Sequence, residues 1–421
     1  MSIDGPIKAL FVAIGEDPAT ALYTINRLAP EFLCLCLPET SQSLVETHVQ
    51  PHVATMPHRW DWILLKAPHQ FQHVHQELAQ HLPPMLKTWG IHSGDLVVDL
   101  SASTPAMASA MVLVSRTMAS RIVQLTAPHP DISSSSNIID IEGTAKAWLS
   151  SNMWDEEAVQ ARAEASRLFN QGAFHSAAQG YRHIESLVSG GLKPLYHALG
   201  ELSEGYALWE HFQYRLAWDK LKSSLKALEL ASIWGGPTGL ASVLTAVKAN
   251  VKFLESLVMD PDVIKRVVSH DLFAHAQRLA RRDQHVEAAT MVLLRALEAY
   301  VQYQLWVTFH IKSWDVQLEQ LPQALQETCR HCYLDDIDGK YKLSLQTQFH
   351  TLAGLGHPMG QAFLSEWTKL KPLLDASQQA ILGHGFEPIK KERFHQLVEI
   401  VTKLTNLHDT SLPTFPHMNL S

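Results

Sequence analysis

The chain has 421 residues, of which 46% are hydrophobic and 18% charged, and its net charge is −8. This is the composition of a globular protein with material for two or three domains, and it excludes a disordered chain and a generally basic surface that coats nucleic acid. The sequence has neither an 18-residue apolar run nor the charged start of a signal peptide, so we expect a cytoplasmic protein without a membrane partner.

Residue types that bind metals are present but are not arranged as metal sites. The four cysteines form two close pairs, Cys34/Cys36 and Cys329/Cys332, and the 24 histidines are scattered without an HExxH motif. The acidic run at 335–340 lacks the later glutamate of a calcium-binding loop, so it is predicted to be a surface turn. We therefore expect neither a metal nor a cofactor.

Apolar strands alternate with helical segments from the N-terminus to residue 127. The predicted strands are 8–14, 32–37, 62–65, 96–100 and 121–125. The predicted helices between them are 18–28, 70–89 and 105–119. Such alternation predicts a parallel sheet with helices on both faces, a Rossmann-like domain that binds ligands at the carboxyl ends of its strands.

Two of those strand ends carry candidate ligand-binding residues. After the fourth strand comes the SASTP turn, residues 101–105, in which Ser101, Ser103 and Thr104 offer hydroxyl groups at the start of a helix. Backbone N–H groups in such a turn bind anions, although the alternative is that a serine or threonine simply caps the helix. After the first strand come Gly15 and Glu16, and the acidic side chain of Glu16 would repel a phosphate.

The pattern of apolar residues changes after residue 127. The segment 128–154 begins with a proline- and serine-rich stretch and is predicted to be a linker. From 155 to 421 the apolar residues recur at helical spacing, which predicts an all-helical domain. Two stretches within it, 167–181 and 278–295, resemble tetratricopeptide-like helical hairpins.

His384 is the strongest catalytic candidate. It lies between Gly383 and Gly385 at the end of an apolar helical run, where glycine permits a positive φ and leaves space around the imidazole. Because histidine exchanges a proton near neutral pH, His384 is a candidate general acid or base. The seven residues before it contain no cation, and Ser377 and Gln378 begin that stretch.

A cation to support His384 would then have to come from elsewhere in the helical domain. The arginines also have a structural explanation that involves no site. Arginines on a helix usually form a solvated face, and Arg295 is spaced to form an ion pair with Glu298. The candidates are Arg278, Arg281, Arg282, Arg295 and Lys390.

Taken together, these segments resemble the CRISPR-associated CARF–HEPN family of type III systems, in the branch with a six-helix domain. The resemblance rests on YALWEHFQYRLA (206–217), Arg281-Arg282, LRALE (294–298) and HGF (384–386). It implies an N-terminal CARF domain that dimerises and binds a cyclic oligoadenylate. It also implies a HEPN-like domain that cuts single-stranded RNA without a metal, by means of an arginine and a histidine.

The chain departs from the family pattern at both sites. The family's nucleotide-binding turn is typically T-G-G-T-K, and here only Thr104 of the SASTP turn is kept. The R-N pair that precedes the family histidine aligns with Ser377 and Gln378. The resemblance implies a homodimer. The departures from the family pattern imply that its ligand and nuclease motifs are degenerate.

Three functional hypotheses follow. The first is a type III CRISPR accessory protein that senses a cyclic oligoadenylate or related nucleotide and has a weakened or lost ribonuclease site. The second is an active, signal-gated, metal-independent ribonuclease that uses His384. The third is an inactive helical scaffold that binds a protein partner.

Overall fold

The computed structural model describes residues 7–15, 17–92, 94–129, 138–233, 235–262, 264–408 and 412–420. The chain divides into two compact units. The N-terminal unit comprises Met1–Arg162 and Tyr181–His197, and the C-terminal unit comprises Ala163–Gly180 and Ala198–Ser421.

The N-terminal unit is built on a seven-stranded sheet of order β3-β2-β1-β4-β5-β7-β6. The strands are β1 (Ala9–Ala13), β2 (Phe32–Pro38), β3 (Arg59–Leu65), β4 (Leu96–Asp99), β5 (Ala119–Thr126), β6 (Ile138–Ile141) and β7 (Thr144–Ser151). The first five strands run parallel, and β7 and β6 are added antiparallel to β5. The order 3-2-1-4-5 is that of a Rossmann-like sheet, so the predicted α/β fold class is confirmed.

The helices, in chain order, cover the sheet and then form the rest of the molecule. They are α1 (Pro18–Leu28), α2 (Gln42–Leu44), α3 (Phe71–Thr88), α4 (Pro105–Ser115), α5 (Met153–Asn170), α6 (Phe174–Leu187), α7 (Lys193–Glu210), α8 (Tyr214–Ile233), α9 (Leu240–Met259), α10 (Arg266–Arg281), α11 (Val286–Phe309), α12 (Gln323–Cys332), α13 (Leu345–Gly354), α14 (Pro358–Gln378) and α15 (Lys391–Thr405). None of the helices in the described ranges is long and apolar enough to cross a membrane.

Both faces of the sheet are buried, which explains why its strands are continuous apolar runs. In β1, Phe11 packs in the cluster that contains α3 and α4, whereas Leu10 and Val12 pack in the cluster that contains α1. Because successive side chains of a strand point to opposite faces, a strand that is buried on both sides shows no polar alternation.

The range predicted as a linker contains the last two strands of the sheet. β6 and β7 form a hairpin joined by Glu142 and Gly143, whose φ angles of 49° and 77° suit a tight two-residue turn. β7 then pairs with β5 along the edge of the sheet. The serine-rich stretch at 130–137 lies outside the described residues.

Most of the range predicted as the helical domain, 155–421, lies in the C-terminal unit, while 155–162 and 181–197 belong to the N-terminal unit. α11 packs against α10, α13 and α15, and α14 packs against α13 and α15. One apolar cluster runs through all of these helices. This arrangement brings α11 and the end of α14, which leads to His384, into one packed body.

The aromatic stretch from Tyr206 to Trp218 is mainly core. Tyr206 and Trp209 are completely buried and stacked on each other, with ring centroids 6.1 Å apart. Phe212 differs, because it has a φ of 59° and is 42% exposed. Burial of these two rings favours a packing role for this stretch over the stacking of RNA bases.

Candidate active site

The His384 loop, residues 380–389, folds back over the end of α14. The N–H of His384 donates to the carbonyl of Gln378 at 2.6 Å, and the N–H of Glu387 donates to the carbonyl of Gln379 at 3.1 Å. These bonds pair the loop with the last carbonyls of the helix, which have no partner within the helix itself.

The two glycines beside His384 are required by close backbone approach. A Cβ atom on Gly383 would lie 2.3 Å from the Ser377 carbonyl oxygen, and one on Gly385 would lie 2.1 Å from that of Gln379. Neither glycine has a positive φ, so the conformational reason predicted from the sequence was wrong. The absence of a side chain is what allows the loop to reach the helix end.

His384 borders a cleft of about 420 Å³, here called the His384 cleft. α14 contributes Lys371, Asp375 and Gln378 to its lining. α11 contributes Met291 and Leu294, and further lining comes from Ser344, Leu345, Gln346, Trp367, Leu374, Ser377, Leu382 and Gly383. The His384 side chain is exposed, and within the described ranges its imidazole makes no hydrogen bond or ion pair.

Ser377 and Gln378 face different environments although they are adjacent. Ser377 is buried, and its hydroxyl donates to the carbonyl of Leu373 at 2.8 Å, so it is committed to the helix interior. Gln378 is exposed on the cleft. A cation can therefore reach the cleft from position 378 more directly than from position 377.

The five cations suggested from the sequence do not border the His384 cleft. Arg278, Arg281 and Arg282 line another cavity of about 380 Å³ together with Phe174 and Phe415. Arg295 contacts Glu298 and Gln302 on the exposed side of α11, and Lys390 precedes the first turn of α15. Nothing in their geometry directs them to His384.

Two of these arginines belong to a charged network with Glu210. Arg278 Nε donates to Glu210 Oε1 at 2.7 Å, Arg282 Nη2 donates to Oε2 at 3.3 Å, and His275 Nδ1 lies 3.3 Å from Oε2. Burial alone would raise the pKa of Glu210, but the hydrogen bond from His275 and the charges of Arg278, His275 and Arg282 lower that pKa to about 2. The network is a structural element of the helical core.

Lys371 is the cation that sequence reasoning missed. It is the one positively charged side chain among the residues that line the His384 cleft. Lys371, Asp375 and Gln378 follow one another at spacings of four and three, which places them on one face of α14. That spacing was the available signal, although Lys371 lies outside the six or seven residues that precede His384.

A lysine forms ion pairs with two carboxylates of the acidic run at 335–340. Lys342 Nζ lies 2.7 Å from Asp335 and 2.9 Å from Asp338, so the ammonium group occupies the position between the carboxylates. Within the described ranges, no group of three or more potential metal ligands is found.

The predicted ligand-binding residues of the N-terminal unit lie together at the carboxyl ends of β1 and β4. These neighbouring strands mark the point where the strand order reverses, which is where such sheets bind ligands. A Cβ atom on Gly15 would lie 2.3 Å from the carbonyl oxygen of Ala102, so the first strand end directly contacts the SASTP turn. Glu16 lies outside the described residues.

The hydroxyl groups of the SASTP turn are already engaged. Thr104 accepts from the N–H of Met107 at 3.2 Å, which caps α4, and donates to the Pro68 carbonyl at 2.7 Å. Ser103 donates to the Leu100 carbonyl, and Ser101 bonds to Asp99 and accepts from Leu125. In contrast, the N–H groups of Ala102 and Thr104 make no hydrogen bond within the described part of the chain.

Asp99 lies beneath the SASTP turn and is fully buried. Burial raises the pKa of its carboxyl group, while the hydrogen bonds from Ser101 act in the opposite direction. The carboxyl group accepts the N–H of Ser101 at 2.8 Å and thereby fixes the start of the turn.

Comparison with known proteins identifies the family. The family model of the Csm6 HEPN domain matches residues 264–408, and that of the Csm6 6H domain matches residues 158–254. Together the two matches cover more than half of the chain. The chain belongs to the CARF–HEPN family of type III CRISPR systems. The HEPN match includes α11, α14, the His384 loop and the cleft.

A solved structure agrees with this CARF–HEPN assignment at the level of fold. Csm6 from Enterococcus italicus, solved bound to cyclic hexa-2′-fluoro-hexa-dAMP, aligns over 96% of both chains with a TM-score of 0.57 and 11% identity. Can2 from Sulfobacillus thermosulfidooxidans in complex with cyclic tetra-adenylate covers 53% of this chain and 68% of its own, with 9% identity. Its TM-score of 0.25 is too low to indicate a shared fold. No curated protein matches the sequence.

Proposed function

We propose that this chain senses a cyclic oligoadenylate or a related nucleotide through its N-terminal unit and that its HEPN ribonuclease site is weakened or lost. The observation that carries the weakened site is the neutral end of α14. There Ser377 is buried and bonded to Leu373, and Gln378 is an uncharged amide on the cleft. No arginine stands where the family resemblance expects one.

The ligand proposal rests on backbone geometry at the end of the parallel sheet. The N–H groups of Ala102 and Thr104 are free of hydrogen bonds in the described chain, and they lie at the start of α4, where the helix favours anions. The Enterococcus italicus relative was solved with a cyclic oligonucleotide analogue, which supports the same chemical class here. Because the hydroxyl groups are engaged, we expect backbone N–H groups to bind the phosphates.

The chemistry explains why a missing cation matters. Metal-independent RNA cleavage needs a base or acid to move the proton of the 2′-hydroxyl or of the leaving oxygen, which is the role proposed for His384. It also needs a positive group to stabilise the charge that develops on the phosphate. His384 meets the first need because its imidazole is exposed and unpartnered, but neither Ser377 nor Gln378 meets the second.

Restoring a cation at position 378 tests this account. We expect Gln378→Arg to increase cleavage of single-stranded RNA by about 10- to 100-fold in EDTA, since one lost charge-stabilising group typically costs about 100- to 1000-fold. The matched control is Gln379→Arg, which adds the same charge on an exposed side chain that does not border the cleft. Equal rates in the two variants would contradict the weakened-site proposal.

Lys371 favours a second candidate function, an active ribonuclease that uses His384. Among the described residues that line the cleft, Lys371 provides the positive charge, and Asp375, one helical turn later, carries a negative charge. In this case the unmodified protein cleaves RNA, and Lys371→Gln lowers the rate at least tenfold. The control Lys369→Gln removes a charge from the same helix, but Lys369 pairs with Glu366 outside the cleft.

A homodimer is part of the proposal because the family resemblance requires two copies of the HEPN site. Three large apolar side chains on the His384 loop are exposed, namely Ile381 at 60%, Leu382 at 57% and Phe386 at 93%. Exposed apolar groups concentrated in a single loop favour a protein-covered surface. We therefore propose that a second copy covers this loop.

A further inference from the structure

The two ends of the His384 loop are held by one carboxylate that lies far away in the sequence. Glu287 Oε1 accepts the N–H of Leu382 at 3.2 Å, and Glu287 Oε2 accepts the N–H of Ile389 at 2.9 Å. These donors lie 95 and 102 residues after Glu287. We infer that Glu287 is a positioning residue that fixes His384 against the cleft, an inference that rests on the role proposed above for His384.

The place of Glu287 on α11 explains why this bond pair positions the site. Glu287, Met291 and Leu294 are spaced by four and three residues, so they share one face of the helix. Met291 and Leu294 line the wall of the His384 cleft. The same face of α11 therefore provides both the wall of the cleft and the attachment of the loop that carries His384.

A carboxylate is the group that suits this task. Both donors are backbone N–H groups, and a carboxylate offers two acceptor oxygens without a donor of its own. Glutamine has only one such oxygen, and its NH₂ group would face the second N–H. Glu287 also lies in the first turn of α11, where the helix dipole stabilises a negative charge.

The remaining bonds of the loop do not replace Glu287. The N–H groups of His384 and Glu387 fix the loop to the end of α14. Among the side chains in the described ranges that accept hydrogen bonds from the loop backbone, only that of Glu287 belongs to α11. Without it, the loop keeps its attachment to one wall of the cleft and loses its attachment to the other.

Hydrogen exchange followed by mass spectrometry on the full-length protein tests the positioning directly. We expect peptides that cover 381–389 to exchange at least tenfold faster in Glu287→Gln and in Glu287→Ala, while peptides from α14 and α15 are unchanged. Glu298→Gln is the control, because Glu298 lies on the same helix and contacts Arg295 and Gln348 rather than the loop. Unchanged exchange of the loop in both Glu287 variants overturns the inference.

The catalytic consequence is measured in the Gln378→Arg background. There we expect Glu287→Gln to lower kcat at least tenfold and to leave KM within twofold, because the RNA-contacting groups are retained and only the imidazole is misplaced. Faster loop exchange with an unchanged kcat overturns the positioning role. If no variant cleaves RNA, the catalytic role proposed for His384 fails, and the exchange data alone decide whether Glu287 fixes the loop.

Discussion

At the scale of single residues, the most consequential ionisable group of the helical core is Glu210. Its side chain is 12% exposed and is shared by Arg278, Arg282 and His275. Removing one partner from such a network leaves buried charge uncompensated, which is more costly than the net contribution of the intact pair. Arg278 and Arg282, two of the cations that the sequence suggested as support for His384, are thus held by this carboxylate.

We predict that Glu210→Gln lowers the free energy of unfolding at pH 7 by about 3 kcal/mol. The folded-state pKa of Glu210 is lowered from 4.5 to about 2, so its contribution is fully present above pH 4.5 and is lost as the pH falls towards 2. Urea unfolding of both proteins at several pH values measures the difference, which should shrink with acidification. A difference that is the same at pH 7 and pH 3 would contradict the assignment, and Glu298→Gln should leave stability unchanged at both.

Predictions about single residues were confirmed where the structure is determined by neighbouring residues in the sequence. α1 begins at Pro18 as predicted, because Asp17 caps the helix and proline occupies its favoured first position. Lys371 was missed because its relevance depends on which face of α14 meets the cleft. That face is set by packing against other helices and is not visible in the spacing to His384.

At the scale of elements, the path of the His384 loop depends on its two glycines. The sequence correctly indicated a glycine-flanked turn after a helix, but it could not indicate that the loop returns to the carbonyls of Ser377 and Gln379. Such a return path is a tertiary property. The same limit applies to β6 and β7, which form an edge hairpin within the range predicted to be a linker, with β7 paired to β5.

Gly385→Ala should displace the loop, because the new Cβ would lie 2.1 Å from the carbonyl oxygen of Gln379. We expect a loss of about 1–3 kcal/mol in the free energy of unfolding, typical of overpacking, together with loss of any RNA cleavage. Chemical denaturation and a cleavage assay measure the two effects. Gly190→Ala is the control, since nothing lies within 4 Å of a Cβ at that position. Equal stability of both variants would contradict the close approach.

The tertiary contacts of the segment 412–420 cannot be predicted from sequence periodicity. The segment lacks helical or strand periodicity, yet Phe415 packs against Tyr206 and Trp209, and the Arg278 guanidinium lies 4.0 Å from the centre of its ring. Asn170 exchanges two hydrogen bonds with the backbone of Met418. The two hydrogen bonds join chain positions 248 residues apart, so only the tertiary fold reveals them.

At the scale of the whole molecule, the fold class and the family were both accessible from the sequence. Continuous apolar strands predicted the buried parallel sheet, and helical periodicity predicted the rest. The proposed function depends on two sites. In the described part of the chain the backbone N–H groups of Ala102 and Thr104 in the SASTP turn have no partner and can bind an anion, whereas Ser377 and Gln378 before His384 carry no positive charge. Ligand binding and RNA cleavage are therefore expected to separate.

The most direct test is calorimetric titration of the purified protein with cyclic tri-, tetra- and hexa-adenylate, with RNA cleavage followed in the same samples and in the Gln378→Arg variant. We predict saturable binding of at least one ring by both proteins, with RNA cleavage at least tenfold slower in the unmodified protein than in Gln378→Arg. Binding accompanied by equally fast cleavage in both would contradict the weakened site. Absence of binding to every ring would contradict the sensing function and favour a scaffold that binds a protein partner.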